Sequence, residues 1–129
     1  MQHTPEIYEE LMSLPNRPFM TGSYIVNPDK ANDIDIVLLN SPDLHKTLRD
    51  MGFVQGWGSY KESRSSHTLA STWRKNQYNL LVAKDIISYT MWEVFTNIIS
   101  HPDYPLEVKS DRVKLHEIIT SSYKENHDS

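Results

Sequence analysis

The chain of 129 residues contains no cysteine. Disulfide scaffolds, thiolate metal sites and cysteine nucleophiles are therefore excluded, and any metal must be held by oxygen or imidazole ligands. The chain also lacks a run of about 18 apolar residues that could span a bilayer. Its first ten residues lack the basic and apolar regions of a secretory signal. We therefore expect a cytoplasmic protein with no membrane partner.

Positive charge is scarce as well. Thirteen Lys and Arg residues face seventeen Asp and Glu residues, which gives a formal net charge of −4. A bulk positive field that would hold a nucleic acid duplex non-specifically is therefore not expected. The six histidines include no pair four residues apart, so a helical zinc site is not expected either.

The chain has the length of one domain and shows no internal repeat, low-complexity tract or central linker. We expect a single domain covering residues 1–129. Its core spans about residues 4–84, its C-terminal helices about 85–123, and a frayed polar tail 124–129.

Four helices are predicted from their caps and stops. Thr4 and Pro5 start the first helix, which Pro15 ends. Ser41-Pro42-Asp43 starts the second, and Gly52 ends it. Asp85 caps a third helix, closed by Pro102 and Pro105, and a fourth runs from Ser110 to Tyr123. The residues expected on the apolar faces of these last two helices are Ile86, Ile87, Met91, Trp92, Phe95, Ile98 and Ile99, then Val113, Leu115, Ile118 and Ile119.

Strands are predicted between the helices. Phe19-Met20-Thr21 is a short strand that stops at a tight Gly22-Ser23 turn. Residues 34–39 are nearly all apolar, as in a central strand covered on both faces. From Phe53 to Lys84 the pattern is β-type, with a hairpin around residues 75–77. This order predicts an α/β or α+β fold with a mixed sheet and a helical C-terminus.

Two acids stand at the start of the central strand. Asp33 and Asp35 point to the same face, about 7 Å apart, because side chains alternate across a strand. Their like charges favour a divalent cation between them, and hard oxygen ligands select Mg²⁺ or Mn²⁺. The alternative is a solvated Asp-x-Asp turn without metal.

The Gly22-Ser23 turn lies upstream of these acids. Glycine lets the backbone turn closely, and exposed amides with the Ser23 hydroxyl can cradle a triphosphate. An apolar stretch, Gly-Ser, nine residues and then Asp33-Ile34-Asp35-Ile36 resembles the signature of the DNA polymerase β-type nucleotidyltransferase superfamily. The resemblance covers about residues 4–84. The end of the chain is also similar to a small stand-alone, phage- or prokaryote-type subgroup.

This resemblance implies a nucleotidyltransferase-like mixed sheet flanked by helices. It assigns Gly22 and Ser23 to the phosphates of a nucleoside triphosphate and Asp33 and Asp35 to Mg²⁺ or Mn²⁺. The family's third carboxylate falls at Asn79, which cannot serve as an anionic ligand or a base. Glu62 and Asp85 are the alternative acids, with surface charge and helix cap as their structural interpretations.

Basic side chains are needed to balance three phosphates. Lys84 and Arg112 are predicted for this role, and Arg74, Lys75 and Lys114 are further candidates. Each has the alternative of an ordinary solvated charge. Trp57 and Tyr60 could stack on a base or pack in the core.

Two functions follow from these residues. The first is Mg²⁺-dependent transfer of a nucleoside monophosphate from a nucleoside triphosphate to a hydroxyl on RNA, a protein or a small molecule, with Asp33, Asp35 and Asn79 at the reaction centre. The second is a degenerate family member that binds a nucleotide or a protein partner without turnover, of an antitoxin or phage-inhibitor type.

Overall fold

The computed structural model describes residues 5–29, 31–56, 67–103 and 105–127. Within these ranges, five strands form one mixed sheet. They are β1 (Phe19–Thr21), β2 (Ile34–Leu39), β3 (Val54–Gln55), β4 (Leu69–Lys75) and β5 (Tyr78–Ala83). The same ranges contain five helices: α1 (Pro5–Met12), α2 (Ser23–Val26), α3 (Leu44–Asp50), α4 (Ile86–Ile99) and α5 (Lys109–His127). The fold is α+β with a helical C-terminus, as predicted.

The sheet has the strand order β1-β2-β5-β4-β3, in which β2 and β5 are parallel and the other neighbours antiparallel. β2 and β5 lie inside the sheet because their side chains are apolar on both faces. Asn76 and Gln77 close the predicted β4–β5 hairpin, with Asn76 at φ 53°. No helix in the described ranges is long and apolar enough to cross a membrane.

A hydrophobic cluster covers each face of the sheet. Ile34, Ile36 and Leu38 of β2 pack with α1 and α3 on one face. Val37 packs with α4 and α5 on the other. Since side chains alternate along a strand, Asp35 shares the face of Val37 and points toward the α4/α5 side.

Helix α3 begins later than predicted. The first helical residue is Leu44, and the cap position is held by Asp43, whose side chain makes no capping hydrogen bond. The Ser41 hydroxyl accepts from Asn16 Nδ2 at 2.9 Å. Gly52, at φ 92°, follows the end of the helix as predicted. α1 ends at Met12, ahead of Pro15, while Thr4 lies outside the described residues.

Helix α4 is capped by Asp85, whose Oδ1 accepts from the Ser88 amide at 2.8 Å, as predicted. The predicted apolar face is only partly right. Trp92, Phe95 and Ile99 are buried. The expectation for three others is wrong, since their side chains are 42–49% exposed: Ile86, Ile87 and Ile98. A helix lying on a sheet buries only one stripe, and the other buried residues of α4 are Ser88, Tyr89 and Thr96.

Helix α5 departs further from the prediction. Val113 and Ile118 are exposed, so their predicted burial is wrong, while the buried stripe consists of Arg112, His116 and Thr120. The Thr120 hydroxyl donates to the His116 carbonyl at 2.8 Å, and the His116 ring packs against the rings of Trp92 and Phe95. The helix also continues to His127, so the predicted frayed tail is wrong for residues 124–127, where backbone hydrogen bonds extend the helix.

Candidate functional site

The polar ends of three adjacent strands form the candidate site. Thr21 pairs with Asp35 across β1 and β2, and Asp35 pairs with Asn79 across β2 and β5. The sequence turns from apolar to polar at the starts of β2 and β5, and their parallel register brings those starts together. Two predicted site residues, Asp35 and Asn79, are therefore direct neighbours.

A hydrogen-bonded chain connects the two acids. Asn79 Nδ2 donates to Asp35 Oδ1 at 3.1 Å. Arg74 Nη1 donates to Asn79 Oδ1 at 2.9 Å, and Arg74 Nη2 forms an ion pair with Asp33 Oδ1 at 3.1 Å. Arg74 reaches Asn79 because the two residues pair in the β4–β5 hairpin. Asp33, just ahead of β2, thus faces the same polar cluster as Asp35.

Burial raises the pKa of Asp35 from its ordinary 3.8 to about 6. The hydrogen bond from Asn79 opposes this rise, the negative charge of Asp33 adds to it, and the positive charges of Arg74 and Lys109 oppose it. Desolvation dominates even though Asp35 is only half-buried. A cation near the carboxylate would favour its ionised form.

Gly22 lies directly against Asp35. Its backbone adopts φ 74° and ψ −153°, a conformation that residues other than glycine rarely adopt. A Cβ atom at this position would stand 2.8 Å from Asp35 Oδ2. Glycine is therefore required here both for the turn and for the close approach to the carboxylate.

Ser23 opens the short helix α2 and contacts the start of α5. Arg112 Nη2 donates to the Ser23 hydroxyl at 2.7 Å, and Arg112 Nη1 donates to the carbonyls of Leu106 and Glu107 at 2.8 and 2.9 Å. A cavity of about 190 Å³ adjoins this contact, lined by Ser23, Asn27, Glu107 and Arg112. The predicted proximity of Arg112 to the Gly-Ser turn is thus present in the fold.

A larger cavity, of about 630 Å³, lies between α1 and α3. Glu6, Glu9 and Glu10 contribute to its lining, so its charge opposes the binding of a triphosphate. The residues of α1 and α3 pack on the face of the sheet opposite Asp35. The polar strand ends are therefore the better candidate for an anionic ligand, despite the smaller cavity beside them.

Lys84 does not join the site. It follows Ala83, which pairs with Leu39 at the far end of the parallel strands. Lys84 lies five positions beyond Asn79, roughly 16 Å along the extended chain, so the structure does not bring it to the Gly22-Ser23 turn, contrary to the expectation that Lys84 and Ser23 share the phosphates. Lys75 Nζ donates to the Met51 carbonyl at 2.7 Å instead, and Lys114 is exposed on α5.

Other sequence candidates have different outcomes. Asp85 is a helix cap and not a third site carboxylate. Trp57, Tyr60 and Glu62 lie outside the described residues.

Sequence reasoning missed helix α2 and three residues at its side of the site: Asn27, Glu107 and Lys109. A four-residue helix gives too short a pattern to detect. The approach of Glu107 and Lys109 depends on how α5 packs, for which the sequence carries no local signal.

The donor set fits one hard divalent cation. Asp33 and Asp35 offer carboxylate oxygens, and Mg²⁺ commonly uses one or two protein carboxylates together with substrate phosphates. Over the described ranges, no group of three His, Cys, Asp or Glu side chains could hold a metal, and the residue beside Asp35 on β5 is Asn79.

Comparisons with protein-family models, curated proteins and solved structures found no match to this chain.

Proposed function

We propose that this chain is a nucleotidyltransferase-like protein that transfers a nucleoside monophosphate from a nucleoside triphosphate to a hydroxyl group. One observation carries the proposal: the Gly22 backbone approaches Asp35 so closely that a Cβ would meet its carboxylate at 2.8 Å. A turn that can receive phosphate oxygens thus lies beside a carboxylate that can hold a divalent cation.

Each part of the site has a role in this reaction. The Gly22-Ser23 turn binds phosphate oxygens, and Arg112 fixes the turn through the Ser23 hydroxyl. Asp33 and Asp35 would hold Mg²⁺ or Mn²⁺, which supplies charge stabilisation to the phosphates when bound. Arg74, whose side chain is 60% exposed, places a guanidinium at the open side of the site.

The transfer exchanges one bond at phosphorus. The acceptor oxygen forms a bond to the α-phosphorus while the bond from that phosphorus to the bridging oxygen breaks, so that pyrophosphate leaves. The hydroxyl proton passes to water, because the Asn79 amide is not a base. The acceptor is a hydroxyl on RNA, a protein or a small molecule.

Labelled nucleotides test the proposal. Purified protein is incubated with Mg²⁺ and α-labelled ATP, GTP, CTP or UTP, with the protein itself and total RNA as acceptors. We expect label transfer and pyrophosphate release with at least one nucleotide. Asp35→Asn should lower the rate at least about 100-fold, whereas Asp50→Asn, an exposed acid on α3, should leave it unchanged. If the protein shows neither label transfer nor metal-dependent nucleotide binding, the proposal is refuted.

A second candidate function is nucleotide or protein binding without turnover, of an antitoxin or phage-inhibitor type. The hydrogen bond from Asn79 to Asp35 favours it, because an amide takes the place at which a base would activate the acceptor. The variant Asn79→Asp separates the two candidates. Activity that appears only in the variant supports binding without turnover, and wild-type activity that the variant loses shows that Asn79 belongs to a working site.

A further inference from the structure

Arg74 places a guanidinium beside the two acids of the site, and the proposed metal binding by Asp33 and Asp35 gives it no role. Its guanidinium spans Asn79 Oδ1 at 2.9 Å and Asp33 Oδ1 at 3.1 Å. Both acceptor atoms belong to the polar cluster that also contains Asp35. Arginine keeps its charge at any physiological pH. A fixed positive charge therefore stands next to the carboxylate pair.

The number of anionic ligands in the cluster limits how many cations it can take. Two-metal phosphoryl-transfer sites hold their ions about 3.5–4 Å apart and need anionic ligands that reach both ions. In the described part of the site the carboxylates are those of Asp33 and Asp35, and one oxygen of Asp33 already accepts from Arg74. Mg²⁺ commonly uses one or two protein carboxylates together with substrate phosphates, so this pair suffices for one divalent cation.

The contacts of Asn79 also indicate a single cation. Its carbonyl oxygen accepts from Arg74 and its amide nitrogen donates to Asp35. The side chain thus holds the guanidinium and the carboxylate in place, and its one oxygen is directed at Arg74. A carboxylate at this position would offer a further anionic ligand, and the amide does not.

We propose that the site takes a single divalent cation at Asp33 and Asp35, and that Arg74 supplies the second positive charge by binding a phosphate oxygen of the nucleotide. The inference rests on the proposed function and adds to it the number of cations and a nucleotide-binding residue. Arg74 is suited to this because its side chain is 60% exposed and its planar fork matches phosphate oxygens. Asn79 is the positioning residue that holds it.

The number of bound ions tests the proposal without any measurement of turnover. Mn²⁺ is titrated against the protein with each of the four α,β-methylene nucleoside triphosphates, and free Mn²⁺ is followed by its paramagnetic resonance signal. Wild type should bind one Mn²⁺ per chain in the nucleotide complex. The double variant Arg74→Gln, Asn79→Asp, which adds a carboxylate and removes the guanidinium, should bind two. Two ions in wild type would overturn the inference.

Nucleotide affinity tests the role of Arg74 separately. Arg74→Gln should weaken the binding of the methylene analogue about tenfold, the scale of one charge-assisted hydrogen bond, and Arg74→Lys should recover part of the loss. Arg49→Gln, an exposed arginine on α3, serves as the matched control. Unchanged affinity in Arg74→Gln would overturn the inference, whereas an absence of Mn²⁺-dependent binding by wild type would instead refute the proposed function on which it rests.

Discussion

Two arginines flank the site, and they differ in burial and in their hydrogen-bond partners. Arg112 is 8% exposed and bonds to two backbone carbonyls and to Ser23. The Arg74 side chain is 60% exposed, and its partners among the described residues are the side chains of Asn79 and Asp33. A largely buried guanidinium that bonds to backbone carbonyls stabilises the fold, whereas an exposed guanidinium that bonds to one carboxylate and one amide is available to a ligand.

The largest effect on stability is expected at Arg112. Arg112→Ala should lower the free energy of unfolding by about 3 kcal/mol, because three hydrogen bonds from a buried charged group are lost and two partly buried carbonyls lose this donor. Urea denaturation measures this, and Lys114→Ala, exposed on the same helix, should change little. An unaltered unfolding midpoint in Arg112→Ala would break the contrast between the two arginines.

Gly22→Ala should cost about 2 kcal/mol of stability, since its φ and ψ are almost closed to alanine. It should also abolish nucleotide binding, because the new methyl group meets Asp35 Oδ2. Gly52→Ala is the matched control: its φ is 92°, yet its Cβ would meet only the flexible end of Lys75, at 3.0 Å. If both variants bind nucleotide like wild type, the turn has no part in the site.

The buried stripe of α5 that contains Arg112 also contains His116. Its ring lies 3.9 Å from Trp92 and 4.9 Å from Phe95 between centroids. Burial, together with the smaller effect of the neighbouring His67, lowers the pKa of His116 from 6.5 to about 4. The unfolded chain therefore binds more protons between these values, so stability is complete above about pH 6.5 and falls as the pH drops toward 4.

The stability that His116 loses between about pH 7.5 and pH 5.5 should amount to about 1.5 kcal/mol. His116→Leu should remove this part of the pH dependence, while His101→Gln, an exposed histidine, should retain it. Denaturation of the three proteins at both pH values measures the difference. Equal pH dependence in His116→Leu and wild type would show that the buried stripe is not sensitive to protonation.

The smallest effect on stability is expected at Arg74. Arg74→Gln should change the free energy of unfolding by less than about 0.5 kcal/mol, since exposed ion pairs contribute little. Its effect on nucleotide affinity should nevertheless exceed that of Arg112→Lys, which keeps a charge at the buried position. A large loss of stability in Arg74→Gln would mean that both arginines serve the fold.

Much of the architecture could be predicted from local patterns. The apolar run of β2, the two-residue hairpin before Tyr78 and the Asp85 cap are each decided within a few residues of chain. Local geometry also places Asp33 and Asp35 on one side of the central strand. These predictions are correct because they need no knowledge of how the elements pack.

The remainder depends on long-range packing. The contact between Arg112 and Ser23 joins residues 89 positions apart, and residue type alone nominated Arg112. The same reasoning failed for Lys84, because only the parallel register shows that β5 carries it away from the site. It failed for Val113 and Ile118 because the polar residues Arg112, His116 and Thr120 occupy the buried stripe of α5 in their place.

Paramagnetic broadening tests most directly whether the polar ends of β2 and β5 bind metal and nucleotide. Substoichiometric Mn²⁺ with an α,β-methylene nucleoside triphosphate is added to labelled protein, and backbone amide signals are recorded. We predict selective broadening at Gly22, Asp35 and Asn79, with Ala83 at the opposite end of the strands unaffected. Broadening centred on the acidic cavity at Glu9 and Glu10, with sharp signals at Gly22 and Asp35, would contradict the account.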